Sequence, residues 1–310
     1  MRVFSLPVLA AFVSVASLLG APAAQCAEGK PPAGKVRAET SGLFTDDRSG
    51  QIGARKLYLI PGLTAPGAAW DGVRPAFEPG FEVHTLSLAG FGGLPARPIA
   101  GSFLDAQVDA IVERLRMERV TGAVLVGHSL GGMLALLVAA RVPEAVGKVI
   151  IVDSVPFLAQ WMSGGAVQTV DQATAMATTI GAQMGTGPWE AVVQRQRAAL
   201  PIQSKDSAFQ EKIVAWMQAS DQASVAGAMQ ELLARDFRPQ LPNVQQPVLV
   251  LMSYDEGFTP VPKDRWLGFA QAQYSGLAHG EVRLIEGSRH WIMHDQAQAF
   301  TDAVLAFGAK

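Results

Sequence analysis

Two spacings of apolar residues take turns along this chain, and the alternation maps its elements. Short strand-like runs recur at residues 55–60, 81–88, 123–126, 148–152, 247–252 and 281–285, with 123–126 wholly apolar. Runs of this length, closed by residues such as Pro61, Gly127 or Asp153, suit strands buried on both faces of a parallel sheet. Between them helical spacing takes over. Leu104, Val108, Ile111, Val112 and Leu115 fall on one face over 102–119. Residues 130–141 are a Leu- and Ala-rich segment of good helix formers. A further helix is expected around 70–77. Phe300, Val304 and Phe307 give the last helix its apolar stripe, with Asp295 and Gln298 spaced to cap its start. Strand alternating with helix means right-handed crossovers and a mostly parallel α/β sheet flanked by helices.

From 156 to 238 the strand pattern stops. Helical patterns at 171–184 and 189–199 are cut by residues 185–188 and by Pro201. Phe209, Ile213, Trp216 and Met217 mark a third helix, and Val225, Met229, Leu232 and Leu233 a fourth. The stretch reads as an all-helical insertion. It holds Met162, Met176, Met184, Met217 and Met229 together with Trp161, Trp189 and Trp216. Most of these suit core packing. Some are expected to line an apolar pocket, where thioethers adapt to flexible ligands.

Composition changes the picture at the N-terminus. Arg2 precedes an apolar run over 8–19, too short to span a bilayer, and small residues follow. Residues 1–27 are therefore expected to be a cleaved leader, which places the protein in the periplasm or outside the cell with no stable membrane span after cleavage. Cys26 is the only cysteine, so no intramolecular disulfide forms. Residues 28–54 read as a linker and edge strands, 55–155 as the first part of a core, 156–238 as a cap, and 239–310 as the rest of the core. The formal net charge is −2 with no long run of either sign, so nucleic acid is not an expected partner.

The candidate chemistry lies at residues 127–131, G-H-S-L-G. A G-x-S-x-G between a strand and a helix is a nucleophile elbow, a sharp turn that exposes one serine. The flanking glycines suit a turn too tight for a Cβ. The following helix points free N–H groups at the serine, so an anion formed there meets partial positive charge. A serine is a poor nucleophile alone and needs a base, which in turn needs an orienting carboxylate. His290 and Asp255 each follow a strand. Asp153 follows another and is the rival acid, with Glu256 a weaker one. His128 reads as a structural neighbour of the serine. His294, four residues past His290, reads as a solvated helix-start residue rather than half of a metal pair. His84 and His279 have no supporting context.

The segments L-I-P-G-L, Gly90-Phe91-Gly92, V-G-H-S-L-G-G, L-M-S-Y-D-E-G-F-T-P and G-S-R-H-W together resemble a serine α/β-hydrolase with a helical cap. They span almost the whole chain after the leader. The resemblance implies the α/β-hydrolase fold, with Ser129 as nucleophile, His290 as general base and Asp255 as acid. The chain order serine, acid, histidine agrees with that assignment. It also implies an oxyanion hole from the N–H groups of Leu63 and Leu130, and no cofactor or metal. Two departures stand out. Many relatives have His-Gly where this chain has Pro61-Gly62, and many have Gly at Met252 or Ser253, before the acid. The implied activity is cleavage of a small ester, lactone or related acyl compound through an acyl-enzyme, with a small-molecule acyl substrate as partner. The same triad supports a cofactor-free haloperoxidase or perhydrolase, and the fold also serves non-catalytic ligand binding. Serine at the elbow argues against the haloalkane dehalogenase and epoxide hydrolase branches, which by resemblance use Asp there.

Overall fold

The computed structural model describes residues 36–40 and 42–309. The expected leader, 1–27, lies outside the described residues. Eight strands form one sheet: β1 (Val36–Thr40), β2 (Phe44–Gly50), β3 (Lys56–Ile60), β4 (Glu82–Leu88), β5 (Ala123–His128), β6 (Val146–Val152), β7 (Val248–Tyr254) and β8 (Gly280–Glu286). Their order is β1-β2-β4-β3-β5-β6-β7-β8. The β1–β2 and β2–β4 pairs are antiparallel, and the rest are parallel. The six parallel strands are the six expected from the sequence, although edge strand β8 has no buried position. All six positions of β5 are buried, and in β7 only Ser253 is less than buried. Central parallel strands are covered on both faces, so a continuous apolar run is what they require.

Two helices follow early strands. α1 (Phe103–Met117) is capped by the Ser102 side chain, which accepts from Asp105 N–H at 3.1 Å. α2 (Leu130–Arg141) packs on β5 and β6, and α1 packs on α2. Between β6 and β7 come α3 (Leu158–Met162), α4 (Val170–Gly185), α5 (Trp189–Gln196), α6 (Leu200–Gln203), α7 (Ser207–Gln218) and α8 (Gln222–Ala234). No strand interrupts them among the described residues, so the insertion is all-helical. Glu231 of α8 ties it to the core. Its carboxylate accepts from Phe103 and Leu104 N–H at 2.6 and 3.1 Å, satisfying free donors at the start of α1. The chain ends with α9 (Lys263–Gln273), α10 (Ile292–Asp295) and α11 (Ala297–Gly308).

Three expectations change. The helix expected at 70–77 is two 3-10 turns, Gly67–Trp70 and Arg74–Ala76, split by Gly72 and restarted at Pro75. Trp70 and Phe77 still anchor it, both fully buried. Asp295 does not cap the last helix: α11 begins at Ala297, and the Asp295 carboxylate accepts from Ser204 Oγ at 2.6 Å and Arg289 N–H at 2.8 Å. The strand-to-strand helix α9 has no counterpart in the sequence pattern. Only Ala270 and Gln273 of it are buried, so it lacks the apolar stripe that reveals a helix.

Candidate active site

The site gathers where β3, β5 and β6 end and where β8 runs into α10, at the carboxyl edge of the parallel strands. Open α/β sheets place their sites there. Ser129 joins β5 to α2 with φ 52° and ψ −120°, a conformation that non-glycine residues adopt only under strain. Its N–H donates to Val152 O of β6 at 2.9 Å, which holds the turn open. The glycines on either side have no alternative. A Cβ on Gly127 would lie 2.1 Å from Gly131 O, and one on Gly131 would lie 2.3 Å from Ile60 O. Gly62 is confined less severely, since its Cβ would meet His128 Nδ1 at 2.9 Å and Ser129 Cβ at 3.1 Å. The chain leaving β3 is thereby pressed against the serine, with Leu63 the next residue. Leu130 is the first residue of α2, so its N–H has no acceptor within the helix. Of the two backbone donors named from the sequence, Leu130 directly follows Ser129 and Leu63 follows the glycine packed against it.

His290 Nδ1 lies 2.7 Å from Asp153 Oδ2. Asp153 is the first residue past β6 and has φ +45°. Two contacts aim its carboxylate: its N–H donates to Leu251 O at 2.8 Å, and its Oδ1 accepts from Ser253 N–H at 2.7 Å. Tyr274 braces the same corner by donating its hydroxyl to Ser154 O at 2.7 Å. Burial, and secondarily the charge of Asp153, push that hydroxyl well above its usual range, so it remains a donor. A carboxylate on Nδ1 selects the His290 tautomer whose Nε2 lone pair is free to accept a proton.

The preference for Asp255 is reversed by this geometry. Asp255 Oδ2 accepts from Arg289 Nε at 3.0 Å, and Lys205 Nζ lies 3.9 Å from its other oxygen. The cause is a neighbour that strand order does not reveal. Arg289 directly precedes His290 and takes the carboxylate at the end of β7, leaving the one at the end of β6 to the imidazole. Glu256 is exposed.

His128 is a structural neighbour, as its place in the elbow suggests. Its ring is buried, and Nε2 donates to His290 O at 2.9 Å. Burial, then the proximity of His290, hold it well below the usual histidine range, so it is neutral. His294 is engaged by Asp206 at 3.0 Å and stacks on Phe209, with ring centres 3.7 Å apart.

A second histidine–carboxylate cluster escaped the sequence reading. His84, in the first half of β4, is fully buried. Nδ1 lies 2.9 Å from Asp46 Oδ2, and Nε2 lies 3.1 Å from Glu82 Oε1. Arg114 Nη2 meets Asp46 at 3.0 Å and Lys56 Nζ meets Glu82 at 2.8 Å, while Tyr58 stacks on the imidazole at 4.4 Å. Burial raises the Glu82 carboxyl. Hydrogen bonds from Lys56 and Gly53 N–H outweigh that and bring it down to about 2. The available signal was polar residues at alternate positions of otherwise apolar strands.

Fold and site together define a class of hydrolase. The model of the Alpha/beta hydrolase family matches residues 57–303, and the chain belongs to that family. A pimeloyl-[acyl-carrier protein] methyl ester esterase of Nitrosomonas europaea is 27% identical over 222 residues, covering 68% of this chain and 81% of its own. A protein of the same description from Vibrio atlanticus is 26% identical over 259 residues, covering 82% and 94%. The crystal structure of an enol-lactonase from Burkholderia xenovorans superposes with a TM-score of 0.68 at 18% identity, over 89% of this chain and all of that one, a likeness of fold.

Proposed function

We propose that this protein is a serine hydrolase of small carboxylic esters or lactones, acting through an acyl-enzyme, with Ser129, His290 and Asp153 as its triad. The observation that carries this reading is the 2.7 Å contact of Asp153 with His290 Nδ1, beside a serine held in a strained elbow. In this reading His290 Nε2 takes the Ser129 hydroxyl proton as Oγ adds to the substrate carbonyl. Asp153 stabilises the imidazolium that forms. The oxyanion is met by the N–H groups of Leu63 and Leu130, aided by the α2 dipole. The imidazolium returns its proton to the leaving alcohol, and water repeats the cycle to free the acid. Preorganised donors of this kind are each worth about 10²–10³ in kcat in other hydrolases. The relatives described as methyl ester esterases support an ester substrate. A serine-reactive phosphonate should label Ser129, and Ser129→Ala should lose both labelling and turnover of an aryl acetate while staying folded. Hydrolysis that persists in that variant would move the chemistry elsewhere.

The leader reading carries a second inference, export. The mature N-terminus is expected between Ala23 and Glu28, and exported protein that still begins at Met1 would overturn it.

A further inference from the structure

The loop that carries His290 is held from two sides. On the core side, Gly287 N–H donates to Tyr254 O at the end of β7, at 2.8 Å. On the other side, the insertion runs alongside. His290 N–H donates to Ile202 O at 3.3 Å and Trp291 N–H to Gln203 O at 2.9 Å. Asp295 stitches the same seam through Arg289 N–H and Ser204 Oγ. Several side chains cross it, and Arg289 reaches both the end of β7 and α6. Arg289 Nε donates to Asp255 Oδ2 at 3.0 Å, its Nη1 donates to Pro201 O of α6 at 2.7 Å, and the guanidinium lies over the Phe258 ring at 4.1 Å.

A guanidinium can serve a carboxylate and a carbonyl at once because its donors form a rigid fork, whereas an ammonium on a flexible stem lacks that fixed geometry. The Arg289 and Asp255 side chains are only 20% and 15% exposed, so solvent screens this contact less than an open surface pair. Arg289 is also covalently next to the base. A shift of the insertion relative to β7 reaches His290 through this side chain as well as through the backbone contacts of Ile202 and Gln203, and proton transfer is sensitive to displacements of about 1 Å.

We propose that Arg289 is a positioning residue: bridging Asp255 and the Pro201 carbonyl, it registers the helical insertion against the core and so sets the His290 imidazole for proton transfer. This rests on the serine-hydrolase reading above. Asp255 then has a role of its own, as the fixed counter-charge of the bridge.

The test starts with phosphonate labelling of the wild-type chain, followed by Arg289→Gln and Arg289→Lys, with circular dichroism and Tm recorded for each. Arg289→Gln should lower kcat by about 10- to 100-fold on a short and a long aryl ester alike, with KM within about twofold. It should slow labelling of Ser129 by a similar factor. Arg289→Lys keeps the charge beside Asp255 and should lose less. A KM rise confined to the long ester, with kcat unchanged, would mean that Arg289 only seats the insertion, and the proposal falls. Equal losses in both variants with a collapsed Tm would make Arg289 merely structural and overturn it too. If Arg289→Gln does not fold, Arg289→Lys decides: reduced kcat at unchanged KM supports the proposal, and wild-type kcat ends it. An unlabelled wild-type chain sinks the serine reading itself, whereas wild-type labelling rates in the variants sink only the role of Arg289.

Discussion

His290 and His84 each meet an aspartate oxygen at Nδ1, at 2.7 and 2.9 Å. Seen as pairs they are alike, but their other nitrogens differ. His84 Nε2 faces Glu82, with Lys56 Nζ 3.3 Å away, and the ring is wholly buried. His290 keeps a quarter of its side chain exposed, at the edge where the elbow presents Ser129. A histidine–carboxylate contact therefore says little about catalysis. What separates the two is the second nitrogen: that of His84 is tied into the scaffold by Glu82 and Lys56, whereas the His290 ring stays partly exposed and packs against His128 of the elbow. Near β6 the carboxylate fixes the imidazole that the proposed mechanism uses as its base. Near β4 the carboxylates, Arg114 and Lys56 lock an edge of the sheet in which β2 runs antiparallel to β4.

Substitutions can break this comparison, and the largest effect is expected at Asp153. Asp153→Asn keeps the shape but favours the wrong His290 tautomer, a change that costs about 10⁴ in kcat in the serine-protease template. A loss approaching that size is expected at wild-type Tm, and retention of more than a tenth of wild-type kcat would count against Asp153 as the acid. The mirror experiment is Asp46→Asn, which strips a buried ion cluster of one of its anions. Breaking such a contact from one side costs about 3–5 kcal/mol. Urea unfolding should show that loss while the folded fraction keeps its kcat. A variant inactive at unchanged stability would abolish the distinction between the two clusters.

Acid sharpens it further. Glu82 titrates at about 2 in the fold, against 4.5 ordinarily. Its stabilisation, on the order of 3 kcal/mol, is present above the ordinary value and is lost as pH falls from there towards 2. The stability gap between wild type and Glu82→Gln should narrow across that window, and a gap constant down to pH 3 would contradict the assignment. The smallest effect is expected for Asp255→Asn, a kcat loss below about tenfold because the Pro201 hook of Arg289 survives. Aryl ester kinetics on that variant check it, and a 10⁴-fold loss would return the acid to Asp255.

The sheet was largely legible because its central parallel strands, such as β5 and β7, are largely apolar and buried, and each of the six parallel strands begins and ends within two residues of its run. The elbow was legible for a steric reason: only glycine fits at 127 and 131. The acid was not. Asp153 and Asp255 both follow strands, and sequence alone does not say which points at His290 and which at Arg289. The clue lay beside the histidine, where a cation at 289 competes for the carboxylate at the end of β7. His84 was opaque for a similar reason. Its partners Asp46 and Glu82 come from β2 and from its own strand, and only the register that sets Arg48 opposite His84 brings Asp46 near.

The positive φ of Ser129 has a consequence for how this protein would behave under selection. Glycine adopts such angles freely, while a side chain there costs on the order of 1–3 kcal/mol. Ser129→Gly should therefore melt at a higher temperature than the wild type while hydrolysing nothing. A library sorted by heat resistance alone would enrich dead enzymes at this codon, and only a sort that also demands turnover would keep the serine.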